Sequence, residues 1–280
     1  MTAARLLPPS AAPLFPFGEA AARLPLLDVS LRDHQDRELY RAGLGRAVDV
    51  RPDEAIPPGV MVAFRDDAVF SDATVRALLE ETCGGELRQV AVPPGTALFD
   101  FVQPLQPGAS RGAPFGCGLW GGDLGGLGAD RSGRLVKAPL LSLCDEQGSE
   151  DHLVAPAGPS PHLLRVPRCH RIAGRITHWL HLLNLNHALL VAERERVGAT
   201  SRRNHWEGRA TVHPTALVED SIIASRVVIE QGASVMRSFL GEGVHVADHA
   251  VIADCVIGPG SHTLVDTHLR RVVAMGGSTL

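Results

Sequence analysis

The sequence predicts a two-part protein, an α/β amino-terminal domain followed by a parallel β-helix. Three observations carry this. Between Val212 and about Val273 the chain repeats its own chemistry every 17 residues. Ahead of the repeat, short apolar runs alternate with helical patterns, as in an α/β layer. Between the two lies one long helical stretch, Ala173 to Arg196.

Length and charge set the limits. At 280 residues there is room for one large or two ordinary domains, and 45% hydrophobic residues can supply their cores. A net charge of −4 gives no basic field for nucleic acid or an anionic membrane. No apolar run reaches the roughly 20 residues of a membrane span. Met-Thr-Ala-Ala-Arg-Leu-Leu-Pro-Pro lacks the sustained apolar core of a signal peptide. Cys83, Cys117, Cys144, Cys169 and Cys255 form no Cys-x-x-Cys pair, which fits reduced thiols better than a disulfide framework or a zinc site. The expectation is a cytoplasmic protein with no nucleic-acid partner and no membrane insertion.

The elements follow in order. Pro8, Pro9, Pro13 and Pro16 argue against a helix in the Pro- and Ala-rich residues 1–20. Leu31, Gln35, Leu39 and Ala42 recur at helical spacing, with Ser30 as N-cap and Gly43 as the stop. Val60 to Phe64, bounded by Pro57-Pro58-Gly59 and Arg65-Asp66-Asp67, reads as a buried strand. Ser71 caps a helix to about Glu81, with Val75, Leu78 and Leu79 on its inner face. Leu87 to Val92 and Ala97 to Val102 read as two further strands. The glycine-rich stretch from Gly108 to Gly133 contains Gly116-Cys-Gly-Leu-Trp-Gly-Gly, a formal match to G-x-G-x-x-G. That fingerprint needs a strand before it and a helix after it, whereas Pro114 precedes it and more glycines follow, so it reads as a flexible loop or hinge. Leu135 to Leu143 resumes as a strand, and Pro156 to Pro167 is loop-like.

Ala173 to Arg196 is the strongest helical pattern, with Ile176, Leu180, Leu183 and Leu190 on a broad apolar face. His178 and His181 share a face as a metal site would want, but no carboxylate or Cys stands at a matching step. A polar stripe for packing against the other domain is the better reading. Ala199 to Ala210 is a polar linker.

The repeat is the most specific signal. Ile223, Leu240 and Ile257 share one column, and Ala224, Gly241 and Gly258 the next. Ile229, Val246 and Thr263 share a third, Ala233, Ala250 and Thr267 a fourth, and Val235, Ile252 and Leu269 a fifth. Aliphatic and small residues recur about every six positions within each line. This is a solenoid signature: one aliphatic side chain per short strand points inward, a small residue turns each corner, and stacking makes the core continuous.

These coils resemble the left-handed parallel β-helix of hexapeptide-repeat transferases. The order of an α/β domain, a long helix and then such a β-helix is similar to sugar-nucleotide pyrophosphorylases (nucleotidyltransferases) with a C-terminal hexapeptide domain. Pro13-Leu-Phe-Pro-Phe-Gly, Pro25-Leu-Leu-Asp-Val-Ser-Leu and Arg41-Ala-Gly-Leu are similar to pieces of that family in the right sequence. Val60-Met-Val-Ala-Phe-Arg-Asp-Asp is similar to the strand carrying its metal-binding aspartate. The resemblance implies Asp67, or less surely Asp66, as a metal position, with magnesium as the ion if nucleotidyl transfer survives. A solvated acidic turn is the equal alternative. The family's opening strand and its G-x-G-x-R loop, followed by P-K, have no counterpart before Pro25. Residues 1–24 offer only Arg5, Arg23 and Gly18. That loop supplies N–H groups and cations to phosphates, so its absence argues for a reduced domain without full pyrophosphorylase activity.

Hexapeptide acyltransferases work as trimers and use a His as general base on a sugar hydroxyl or amine attacking an acyl thioester, with acyl-CoA as co-substrate. His245 and His262 share an outward column preceded by Val228, with the strand spacing placing them about 5 Å apart. They are the catalytic candidates, with His249 four residues on, past a corner; His268 stands beside Thr267. Two functions stay open: a transferase acting on a sugar phosphate or nucleotide sugar, or a non-catalytic trimeric scaffold or regulatory paralogue. The expected layout is a reduced α/β domain at 1–172, a connecting helix at 173–198, a linker at 199–210, the β-helix at 211–273 and a tail at 274–280.

Overall fold

The structure, a computed structural model, describes residues 2–9, 13–14, 18–106, 113–128, 131–142, 145, 147–154 and 162–280. The chain divides into two compact units. One holds Met1–Leu24, Val29–Gln147 and Cys169–Leu185, and the other Pro25–Asp28, Gly148–Arg168 and Asn186–Leu280.

The strands of the first unit are β1 (Thr2–Leu6), β2 (Val48–Val50), β3 (Val60–Arg65), β4 (Ala68–Phe70), β5 (Arg88–Val92), β6 (Phe115–Gly121), β7 (Leu140–Ser142) and β8 (Ala173–Arg175). Six of them form a sheet in the order β7-β5-β6-β3-β1-β2, with β6 antiparallel to both neighbours and the other pairs parallel. β4 and β8 form a separate antiparallel pair. Ala4, Ala63 and Trp120 lie side by side in register and share one apolar cluster with Ile56, Leu124 and Leu135. Their neighbours Ala3, Val62, Phe64 and Leu119 are also buried, because successive residues of a strand face opposite ways and both faces of this sheet are covered.

Both expected helices form where their caps put them. α1 (Leu31–Arg41) starts at Ser30, whose side chain accepts from Asp33 N, and Gly43 follows it with φ +84°. α2 (Asp72–Glu81) starts at Ser71, which accepts from Thr74 N, and packs on β3 and β6. α1 buries His34, Gln35 and Glu38 with its leucines, because they serve a polar network. Arg5, fully buried in β1, donates to Gln35 Oε1 (2.9 Å), Asp36 (2.7 Å) and Asp49 (3.0 Å).

Several expectations fail here for identifiable reasons. An opening strand is present: β1 lies between β2 and β3, although Thr-Ala-Ala-Arg-Leu has neither Val nor Ile and centres on a charge. Ala97–Val102 is a helix, α3, because Thr96 caps it by accepting from Phe99 N (3.1 Å). Its Leu98, Phe99, Phe101 and Val102 are buried at helical spacing. Gly116 to Gly121 is no hinge but part of β6. Leu135 to Leu143 is split between the end of α4 (Arg131–Val136) and β7, with Pro139 between them and residue 143 outside the described residues. Ala173–Arg175 is strand, and the long helix, α5, runs only from Trp179 to Val197. Of the loop expected at 156–167, residues 156–161 lie outside the described residues, while His162–Pro167 is a strand paired antiparallel with Ser149–Val154.

The second unit stacks its coils as the columns require. One parallel sheet runs through His205–Trp206, Ile222–Ile223, Phe239–Leu240, Val256–Ile257 and Val273–Ala274. A second runs through Thr211–Val212, Val228–Ile229 and His245–Val246. A third runs through Leu217–Glu219, Ser234–Met236, Val251–Ala253 and His268–Arg270. Every pairing steps by 17 residues, and the inward residues Ile223, Ile229, Val235, Leu240, Val246, Ile252 and Ile257 form one buried core. The ladder outruns the span 211–273 at both ends: His205 pairs with Ile222, and His262 bridges to Thr279.

On the first of these sheets the outward residues Ile222, Phe239 and Val256 are buried as well. The second half of α5 hydrogen-bonds along the same coils, through Arg194 Nε to the Asp220 carbonyl (2.7 Å) and His187 Nε2 to the Asp254 carbonyl (3.0 Å). At one corner Ser238 N donates to Ser221 Oγ (3.2 Å) and Cys255 N to Ser238 Oγ (3.1 Å). Cys255 thus fills a serine position in a ladder, and burial pushes its thiol up to about 12. No helix among the described residues is long and apolar enough to cross a membrane.

Candidate functional site

The histidine column forms as the repeat demands. Val228, His245, His262 and Thr279 occupy successive coils of one face, and the alternation that buries Val246 turns His245 outward. His245 Nε2 stands 3.1 Å from Oε1 of Glu230, one coil below. Both side chains are about half exposed, 48% and 42%, so the pair is oriented by contact while staying open to solvent. His262 Nε2 meets Thr279 Oγ1 at 2.9 Å. A carboxylate that orients an imidazole while leaving its other nitrogen open is the arrangement a general base needs. Glu230 was not legible as a partner, because a carboxylate 15 residues before His245 comes beside it only once the coils are stacked in register.

His249 stands at the corner with φ +57°, outside the column. Its ring lies across Gly232, where a Cβ would come within 2.4 Å of Nδ1. His268 is exposed on the third sheet. The helix histidines serve structure instead. His181 is buried, its Nδ1 faces Thr177 N (3.2 Å) and its Nε2 the Pro104 carbonyl, and burial holds its pKa below the usual histidine value.

The first unit holds a second candidate, a cleft of about 380 Å³ at the carboxyl ends of β1 and β3, where open α/β sheets bind ligands. Leu6, Trp120, Leu135 and Val136 give it an apolar wall, and Arg65, Arg131, Arg175 and Gln89 its polar groups. The glycines of Gly116-Cys-Gly118 explain this placement. A Cβ on Gly116 would meet the Gln89 amide at 2.8 Å, and one on Gly118 would meet Arg65 Cδ at 2.8 Å and Arg175 Cδ at 3.4 Å. The G-x-G therefore lets three polar side chains lie flat across β6. It was the visible signal of this site, although its spacing belongs to a strand.

Asp67 and Asp66 diverge. Asp67 receives Arg175 Nη2 on Oδ2 (2.7 Å), and Arg175 Nε and Arg65 Nε on Oδ1 (both 3.2 Å). Two guanidinium groups thus occupy the carboxylate where a divalent cation would sit. Asp66 faces a separate depression with Arg23, Arg32 and Asp33. Among the described residues no group of three or more His, Cys, Asp or Glu is placed to hold a metal ion. The residues present do not fit a magnesium site.

The stacked parallel coils with small residues at their corners fit a hexapeptide-repeat β-helix. More particularly, residues 207–277 match the family model described as GlmU-like, C-terminal hexapeptide. That match covers about a quarter of the chain and lies wholly in the second unit. None of the curated proteins compared matches the chain.

Proposed function

We propose that this chain is a transferase-family protein of sugar-nucleotide metabolism whose β-helix assembles as a homotrimer and transfers an acyl group. His245 is the general base. It takes the proton from a sugar hydroxyl or amine as that group attacks the thioester carbon of acyl-CoA; the new acyl bond forms and the CoA thiolate leaves. Glu230 orients the imidazole. The observation that carries this reading is the His245–Glu230 pair on the coils that match the hexapeptide model. His262, one coil above, is held by Thr279 and lines the same face.

Acetyl-CoA turnover against a panel of amino-sugar phosphates and nucleotide sugars tests it. His245→Ala should lower kcat by about 10²–10⁴-fold, the usual contribution of a general base. Glu230→Gln should lower kcat less and shift its pH profile. Unchanged turnover in His245→Ala, or no acyl transfer to any acceptor by the parent chain, favours the second reading, a non-catalytic scaffold or regulatory paralogue. The paired state of Asp67 supports that alternative, since nucleotidyl transfer in the resembled family needs a metal there.

A further inference from the structure

The cleft of the first unit is independent of the histidine column. Among the described residues three arginines line it, Arg65, Arg131 and Arg175, and no carboxylate does. The carboxylate behind them, Asp67, sets one negative charge against two guanidinium groups. Arg131 is only 5% exposed, and its donors go to the carbonyl oxygens of Arg51, Pro52, Glu54 and Gly128. Among the described residues it is a buried cation held by dipoles and no carboxylate. A cation taken out of water and held only by carbonyl dipoles favours an anion in the adjoining cleft.

Arg65 uses only its Nε on Asp67, and its side chain is 44% exposed. Among the described residues its terminal nitrogens have no hydrogen-bond partner, and the residue lines the cleft. The guanidinium fork matches phosphate bidentately. At about 380 Å³, with an aromatic and aliphatic wall, the cleft holds more than a free phosphate.

We infer that Arg175 stands where the family resemblance puts a divalent cation, and that the cleft binds a phosphate monoester of about nucleoside-monophosphate size through guanidinium groups alone. Arg65 and Arg175 receive the phosphate, Arg131 supplies a fixed positive field, and the organic portion lies against Trp120 and Leu135. Asp67 anchors Arg175 and competes with the phosphate for it. This reverses the role an aspartate plays in a metal site, where it recruits the phosphate's counterion.

Titration calorimetry on the full chain distinguishes the two. The probes are AMP, glucose 1-phosphate, inorganic phosphate and adenosine, each with EDTA and with magnesium. At least one ester should bind in EDTA with an affinity that magnesium does not improve, and adenosine should not bind. Arg65→Ala, at a side chain 44% exposed, should weaken the ester by about tenfold or more, the scale of one charged hydrogen bond, in a protein whose thermal melt shows it folded. Asp67→Asn should bind it no more weakly than the parent, whereas a metal site would lose it. Binding only with magnesium, no binding of either ester, an unchanged Arg65→Ala, or loss in a folded Asp67→Asn would overturn the inference. His245→Ala should leave this binding untouched, so its outcome and that of the acyl-transfer assay are read separately.

Discussion

Asp66 and Asp67 are adjacent in the chain and live in opposite fields. Arginine nitrogens meet both oxygens of Asp67. Asp66 has its pKa raised, first by burial and then by repulsion from Asp67, with Arg65 only partly offsetting them. The folded value therefore lies above the unfolded one. Below the unfolded pKa both states are protonated and nothing is lost. As pH rises between the two values the unfolded chain ionises first, and stability falls and stays lower at neutral pH. Asp66→Asn should accordingly stabilise the protein at pH 7 and lose that advantage as the pH falls below the carboxylate range. Thermal melts across pH 3–8 check it. A gain that persists undiminished at the acid end would mean the carboxylate's charge is not the cause.

At the scale of the element, single capping residues decide what periodicity leaves open. Ala-Leu-Phe-Asp-Phe-Val is six residues of apolar character that suit strand and helix alike, and Thr96 settles it as α3. Ser71 has a wider role. Its Oγ accepts from Thr74 N and Ile172 N (3.1 Å) and donates to the His170 carbonyl, so it caps α2 and ties the chain entering β8. Ser71→Ala should cost about 1–2 kcal/mol, at the upper end for an N-cap because it leaves more than one buried group unpaired. Urea unfolding measures this, with Ser71→Thr as the variant expected to recover most of the loss. In the β-helix the equivalent device is the corner: Asp220, Arg237, Asp254 and Arg271 all have φ near +50° and alternate in charge from coil to coil. Arg237 grips Asp254 at 2.7 and 2.9 Å, which offsets backbone strain that L-residues normally avoid.

Across the molecule, each unit has an apolar cluster of its own, built in a different way. The sheet of the first unit is built from non-local pairings such as Ala4 with Ala63, while each coil of the second touches chiefly the coils 17 residues away. Stability in the second unit is then a sum of coil interfaces. Leu240, fully buried between Ile223 and Ile257, is central to that stack. Leu240→Ala should cost about 2–5 kcal/mol by opening a cavity the neighbouring coils cannot close. Hydrogen exchange should show the loss as lowered amide protection in the coils flanking residue 240. Protection that falls only at the end coils would contradict a stack with a continuous core.

The repeat was legible from residues alone because it is written in one dimension: each coil meets its equivalents at a constant separation, so columns of sequence are columns of space. Ile223, Leu240 and Ile257, the outward His245 and His262, and the caps Ser30 and Ser71 all follow from spacing and local chemistry. Tertiary structure decided what depends on residues meeting from distant parts of the chain. β1 became a strand through pairing with β2 and β3, despite its weak local pattern. Gly116 and Gly118 became seats for Gln89, Arg65 and Arg175, which β5, β3 and β8 deliver. Asp67, which the sequence offered equally as a cation's ligand or a solvated turn, meets Arg175, 108 residues further along the chain. Coulombic and steric partners of this kind have no fixed sequence separation, so no periodicity announces them.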